Sequence, residues 1–157
     1  MKTLVLGLGN DLLSDDGVGI LAARALKENL IGIADVVESS LSGAALLDIL
    51  MGYERAIVID AIRTTLQPPG TISELTPADF DAVPAPSPHY TGLPELLAIA
   101  HQMDLDFPKD IRIFAVEVMD PHTVGGDLTE PVKKALPLLI ERVQAHVETC
   151  CGQVAHT

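Results

Sequence analysis

Among the chain's acids and histidines, Asp16, Asp60 and His89 stand where predicted strands end or a helix begins, and together they could do metal chemistry. Two carboxylates and an imidazole suit a divalent first-row metal, because imidazole serves zinc and nickel and carboxylates complete the charge match. Three protein ligands leave a coordination position open, as a catalytic centre needs. The residues are 44 and 29 positions apart, so only folding can bring them to one edge. His89 stands just before a predicted helix, whose positive end favours the neutral, ligating imidazole. Each residue also has a structural reading. Asp15 and Asp16 suit a helix cap and first-turn charges, Asp60 suits a strand end, and His89 suits the surface between Pro88 and Tyr90. No Ser–His–Asp set stands out, and the only thiols are the vicinal Cys150 and Cys151. Nucleophilic catalysis is therefore poorly supported.

Strands and helices alternate along the chain and must position these residues. Thr3–Leu6 reads as a buried strand stopped by Gly7-Leu8-Gly9-Asn10. A helix follows from Gly17 to Leu30, with Val18, Leu21, Ala22, Ala25 and Leu26 on one face, and Asp15 or Asp16 suits its cap. Asp35–Ser39 is a second strand, and Ser42 suits the cap of a helix carrying Ala45, Leu46, Ile49 and Leu50. Ala56–Ile59 is continuously apolar, as a strand covered on both faces should be, and ends at Asp60. Thr71–Leu75 reads as a short edge strand, followed by a proline-rich loop with one helical turn around Asp79. Thr91 suits the cap of a helix with Leu93, Leu96, Leu97 and Ala100 on one face. Ile111–Val118 alternates as a strand, with Glu117 buried and paired. A last helix, Thr129–Val147, should kink at Pro137. Asp120 and His122, after the last strand, read as turn residues. This alternation implies one three-layer α/β/α domain over 1–157, with a polar tail from 149, a largely parallel twisted sheet and helices on both faces. Ligands in such sheets bind beyond the carboxyl ends of the strands, where Asp16, Asp60 and His89 are expected.

Composition narrows the function classes. A chain of 157 residues is about one domain, and a hydrophobic fraction of 48% supports a real core. The charge balance of 22 acids against 10 bases opposes nucleic acid and anionic membranes as partners. No apolar run spans a bilayer and the first residues lack a signal-peptide pattern, so a cytoplasmic protein is expected. The cysteines read as reduced thiols, with no lysine or arginine near them in sequence. No helix shows a second apolar stripe, which predicts a monomer.

Three rival readings fail on particular residues. A dinucleotide fingerprint needs glycine at position 12, where this chain has Leu12. A signalling receiver domain places its acid pair at the strand end and a lysine after a later strand, and neither is present. Peptidyl-tRNA hydrolases share the Gly-Leu-Gly-Asn opening but continue with Pro-Gly and an early histidine, where this chain reads Asp11-Leu12-Leu13.

The segment from Leu6 to Gly19, LGLGNDLLSDDGVG, resembles the signature of the [NiFe] hydrogenase maturation endopeptidases. The resemblance continues through Gly52–Ala61 and through Ser87-Pro88-His89 with Leu93, Leu96 and Leu97. It spans roughly residues 3–145. It implies an enzyme that cuts a short C-terminal extension from a hydrogenase large-subunit precursor after nickel insertion. It implies metal ligands at Asp16, Asp60 and His89, the nickel arriving with the precursor, and substrate contacts at Asn10 and Gly43. Two departures stand out. Asp16 is glutamate in some members. The Gly-Gly-Thr-type turn after the second strand reads Glu38-Ser39-Ser40-Leu41-Ser42-Gly43, in which only Gly43 persists. A non-catalytic nickel-binding assembly factor using the same three residues is the alternative.

Overall fold

A computed structural model describes residues 2–41, 44–81 and 93–152. Five strands form one sheet: β1 (Thr3–Leu8), β2 (Asp35–Ser39), β3 (Arg55–Ile62), β4 (Ile72–Leu75) and β5 (Asp110–Glu117). Their spatial order is β2-β1-β3-β5-β4, parallel except for β4, which pairs antiparallel with β5 at one edge. The helices are α1 (Val18–Asn29), α2 (Ala44–Leu50), α3 (Leu93–Gln102) and α4 (Glu130–Gly152). Two 3-10 turns, Ser14–Gly17 and Pro77–Asp81, complete the elements.

The two faces of the sheet carry separate cores. On one, Val5, Ile57, Ile59, Phe114 and Val116 pack against Val18, Ala22 and Leu26 of α1 and Val132, Leu139, Val143 and Val147 of α4. On the other, Leu4, Leu6, Val58 and Ile113 pack against Leu46 and Leu50 of α2 and Leu97 and Ala100 of α3. The continuous apolar runs of β1 and β3 follow from this double covering. Each of these buried aliphatic side chains contributes about 1.5–3 kcal/mol of transfer free energy. The three-layer reading of the sequence thus holds.

Several boundaries differ from those read in the sequence. β1 runs on through Gly7 to Leu8, and β3 runs past Asp60 to Ile62. Neither Asp15 nor Asp16 caps α1: both lie in the preceding 3-10 turn, and the cap position is Gly17, with no side-chain cap bond. α4 continues through Pro137 and on to Gly152, so Cys150 and Cys151 are helical rather than part of a tail. Both are free thiols. Among the described residues no helix is long and apolar enough to cross a membrane.

Candidate active site

The strand order reverses direction between β1 and β3, because the chain goes from β1 outward to β2 and then returns to the other side of β1. Crevices at such reversals, beyond the carboxyl ends of the strands, are where open α/β sheets bind ligands. Asp16 follows β1 and Asp60 lies near the carboxyl end of β3, so both stand at this end of the sheet. Their elements meet with almost nothing between them. A Cβ on Gly19 of α1 would stand 2.4 Å from the Ile59 carbonyl oxygen and 2.5 Å from that of Leu8. A Cβ on Gly7 would stand 2.3 Å from the Gly19 carbonyl oxygen. Glycine at both positions lets the first turn of α1 sit directly on β1 and β3. That contact carries the turn bearing Asp16 to the strand bearing Asp60.

Asp16 is half-buried, and its Oδ2 accepts the Asn10 backbone N–H at 2.9 Å. Gly9, at φ +141°, passes so close that a Cβ there would lie 2.1 Å from the Asp16 carbonyl oxygen. Asp60 is fully buried at 0% exposure, and its Oδ1 accepts the Ala61 N–H at 2.8 Å. Position 60 shares its face of β3 with Ala56, Val58 and Ile62, the face that α2 and α3 cover. Asp60 therefore does not terminate its strand. It is an inward-facing member of β3, opposite Ala115 of β5. The Asn10 side chain turns back on its own loop, its Oδ1 accepting the Leu12 N–H at 3.0 Å. His89 and Gly43 lie outside the described residues, as do the predicted caps Ser42 and Thr91. His89 stands four positions before α3, the helix on the Asp60 face. Among the described residues alone, no three His, Cys, Asp or Glu side chains are grouped to hold a metal ion.

A cavity of about 250 Å³ opens beside Asn10, between Gly9, Asp11, Arg24 and Glu38. Arg24 spans it, with Nε 3.0 Å from Glu38 Oε2 and a terminal nitrogen 3.0 Å from Asp11 Oδ2. The hydrogen bond to Glu38, then that to Asp11, raises the Arg24 pKa further above its ordinary value. Cavities of about 460 and 550 Å³ lie around Lys109 and Asp110, at the opposite end of the strands. Neither contains a predicted site residue.

The remaining acids sort cleanly. Glu117 is buried, as expected, and accepts the Thr64 N–H at 2.9 Å, the Thr64 hydroxyl, and the Thr65 N–H at 3.4 Å. Asp120 forms a turn by accepting the Thr123 hydroxyl and the N–H groups of His122 and Thr123, which hold its pKa below the ordinary carboxylate range. Asp15 is fully buried and bonded to residues near 120 and 129, an arrangement no local sequence signal announces. The thiols are at the far end of the sheet: Cys151 Sγ lies 3.7 Å from the hydroxyl of Thr3, where β1 begins. Arg55, where β3 begins, pairs with Asp110 at 2.8 Å.

A family model described as hydrogenase maturation protease matches residues 20–146. The hydrogenase 2 maturation protease of Escherichia coli K12 is 31% identical over 151 residues, covering 92% of this chain and 90% of that protein. The hydrogenase expression/formation protein HupD of Rhizobium leguminosarum bv. viciae is 31% identical over 145 residues, covering 89% of this chain and 71% of that protein. In solved structures, the hydrogenase maturating endopeptidase HybD from E. coli superimposes with a TM-score of 0.78 at 28% identity, covering 96% of this chain and 94% of that one. The span matched by the family model and the likeness to these relatives show the same thing: the chain belongs to the hydrogenase maturation protease family.

Proposed function

We propose that this protease removes the C-terminal extension of a [NiFe] hydrogenase large-subunit precursor that already carries nickel, with Asp16, Asp60 and His89 contacting that nickel. The observation that supports this most is the glycine contact that seats the Asp16 turn on the end of β3, next to buried Asp60. Two carboxylates held by backbone N–H groups, with an imidazole from the segment before α3, make an oxygen-and-nitrogen donor set that fits a divalent first-row ion. Nickel is here part of the substrate. An ion loaded into the precursor, in reach of these ligands, polarises the scissile carbonyl and acidifies a bound water. A carboxylate of the pair acting as general base on that water is the alternative to activation by nickel itself. Nickel loading thereby becomes the checkpoint for cleavage. The thiols stand at the other end of the sheet and take no part. Asn10 and Gly43 are proposed to meet the substrate peptide, and the protein is proposed to act as a cytoplasmic monomer.

The test is intact-mass measurement of a cognate large-subunit precursor after incubation with the protein, with and without nickel loading. Loss of a C-terminal peptide only from the nickel-loaded form is expected. The His89→Ala variant should lose this activity while keeping the wild-type circular dichroism spectrum. No loss from a verified nickel-loaded cognate precursor would refute the peptidase reading and favour a nickel-binding assembly factor. Unchanged cleavage by His89→Ala would remove His89 from the site.

A further inference from the structure

Asp15 adjoins Asp16 yet has no part in the chemistry above, and it is among the most constrained side chains in the molecule. It is completely buried. Its Oδ2 accepts the N–H groups of Met119 at 3.0 Å and Asp120 at 2.9 Å and the Thr129 hydroxyl at 2.8 Å. Its Oδ1 accepts the Thr129 N–H at 2.7 Å. These donors replace the water that burial removes, and bonds to a carboxylate are the strong kind. The Asp15 N–H in turn donates to the Asp120 carbonyl at 2.9 Å, so the link closes from both sides.

The preceding residues follow the same course. The Leu12 carbonyl accepts the Gly125 N–H at 2.8 Å, Leu13 forms a β-bridge with Val124, and the Ser14 hydroxyl donates to the Asp127 carbonyl at 2.8 Å. Ser14 is held at φ +36°, a left-handed conformation that costs a non-glycine residue energy and persists only when its surroundings impose it. Residues 12–15 are thus fastened along the 119–129 connection. Thr129, immediately before α4, is the residue type that caps its own helix, yet its hydroxyl donates across the molecule to Asp15. Asp16 emerges directly from this fastened segment, its N–H bonded to the Leu13 carbonyl at 2.8 Å.

We infer that Asp15 is a positioning residue: by clamping the 119–129 connection and the start of α4, it fixes the turn from which Asp16 presents its carboxylate. The role rests on the reading of Asp16 proposed above, and its test has one readout independent of that reading. Asp15→Asn keeps the size of the side chain but turns one acceptor oxygen into a donor facing N–H groups. The Asn10 amide bonded to Asp16 Oδ2 reports the placement of Asp16 without any substrate. In Asp15→Asn its hydrogen exchange should accelerate at least about tenfold more than that of Ile57 and Ile59 in β3, a local rather than global loosening. With the nickel-loaded precursor, kcat should fall about ten- to hundredfold while KM stays within about twofold, the signature of a displaced reacting group. Thr129→Val should give a smaller loss of the same kind, and Thr129→Ser, which keeps the hydroxyl, should restore wild-type behaviour. If Asp15→Asn does not fold, the contrast between these two Thr129 variants carries the test. Exchange at Asn10 rising only in step with β3, or turnover per folded molecule unchanged, would overturn the inference. A wild-type protein that cleaves nothing would refute the proposed function, and the Asn10 exchange would still decide the role of Asp15.

Discussion

Replacing Gly19 by alanine sets two effects of opposite sign against each other. Alanine is the better helix residue, worth about 0.8–1 kcal/mol in a helix interior. The added Cβ, however, would lie 2.4 and 2.5 Å from the carbonyl oxygens of Ile59 and Leu8, inside any contact real Cβ atoms make. Both are backbone atoms of sheet strands and cannot turn aside as a flexible side chain could. Overpacking of this kind costs about 1–3 kcal/mol, and two rigid neighbours put it in the upper half of that range. The clash therefore wins, and Gly19→Ala should lose about 1–2 kcal/mol. With a urea slope of about 2 kcal/mol per molar, the unfolding midpoint should drop by about 0.5–1 M. Activity should suffer more than stability, because the helix can relieve the clash only by lifting the Asp16 turn away from Asp60. Cleavage of the nickel-loaded precursor, measured per folded molecule, should fall by about tenfold or more. A variant with an equal or higher midpoint and full turnover would show that propensity outweighs the contact, and the account of how α1 seats on β1 and β3 would be wrong.

Glu117→Gln should lower stability by about 1–3 kcal/mol, since an amide nitrogen would face the Thr64 or Thr65 N–H; an unchanged melting temperature would refute this. Arg24→Ala should change stability little, and less still in high salt, because Arg24, Asp11 and Glu38 are all well exposed. A double-mutant cycle with Glu38→Ala measures it, and a large coupling undiminished by salt would contradict the screening argument. His146 has its pKa lowered by burial first and by Arg112 next, against Glu74 and Asp110, which raise it. Its neutral form is therefore the one the fold favours. The resulting stability is fully present above the ordinary histidine value of about 6.5 and is lost as pH falls from there through the lower folded value. The urea midpoint should decline as pH falls below about 6.5, and His146→Gln should flatten that decline; an unaltered slope would remove His146 as its source.

Much of this was legible in the sequence because it is local. Asp35–Ser39 could be bounded to the residue from its flanking breaks, and the alternation of Ile111, Ile113 and Ala115 with Phe114 and Val116 assigns each side chain to its correct core. What failed was non-local. Gly7 looked like a strand stop because glycine weakens strands, yet here it is kept for the approach of α1. Asp60 looked like a strand end because acids are rare in buried strands, yet β3 continues with β5 beside it and anchors the carboxylate on the Ala61 N–H. Asp15 looked like the cap of the next helix in sequence, and its partners lie more than a hundred residues away. Of the proposed ligands, Asp16 and Asp60 stand at the same end of the sheet, while His89 lies outside the described residues.

The bonds of Asp15 span 104, 105 and 114 residues of chain. Contacts of that reach are entropically the last to be worth making, because the chain must close long loops before any bond rewards it. The sheet and its helices can condense from nearer pairings, such as β1 with β2, but the seat of Asp16 waits for the 119–129 connection and the first turn of α4. Refolding should therefore regain its helical signal before it regains peptidase activity. The same order holds during synthesis: while the ribosome has not yet released residue 129, the emerging chain has its strands but no finished cutting centre. A protease assembled in this sequence stays inert until the far end of its own fold has arrived.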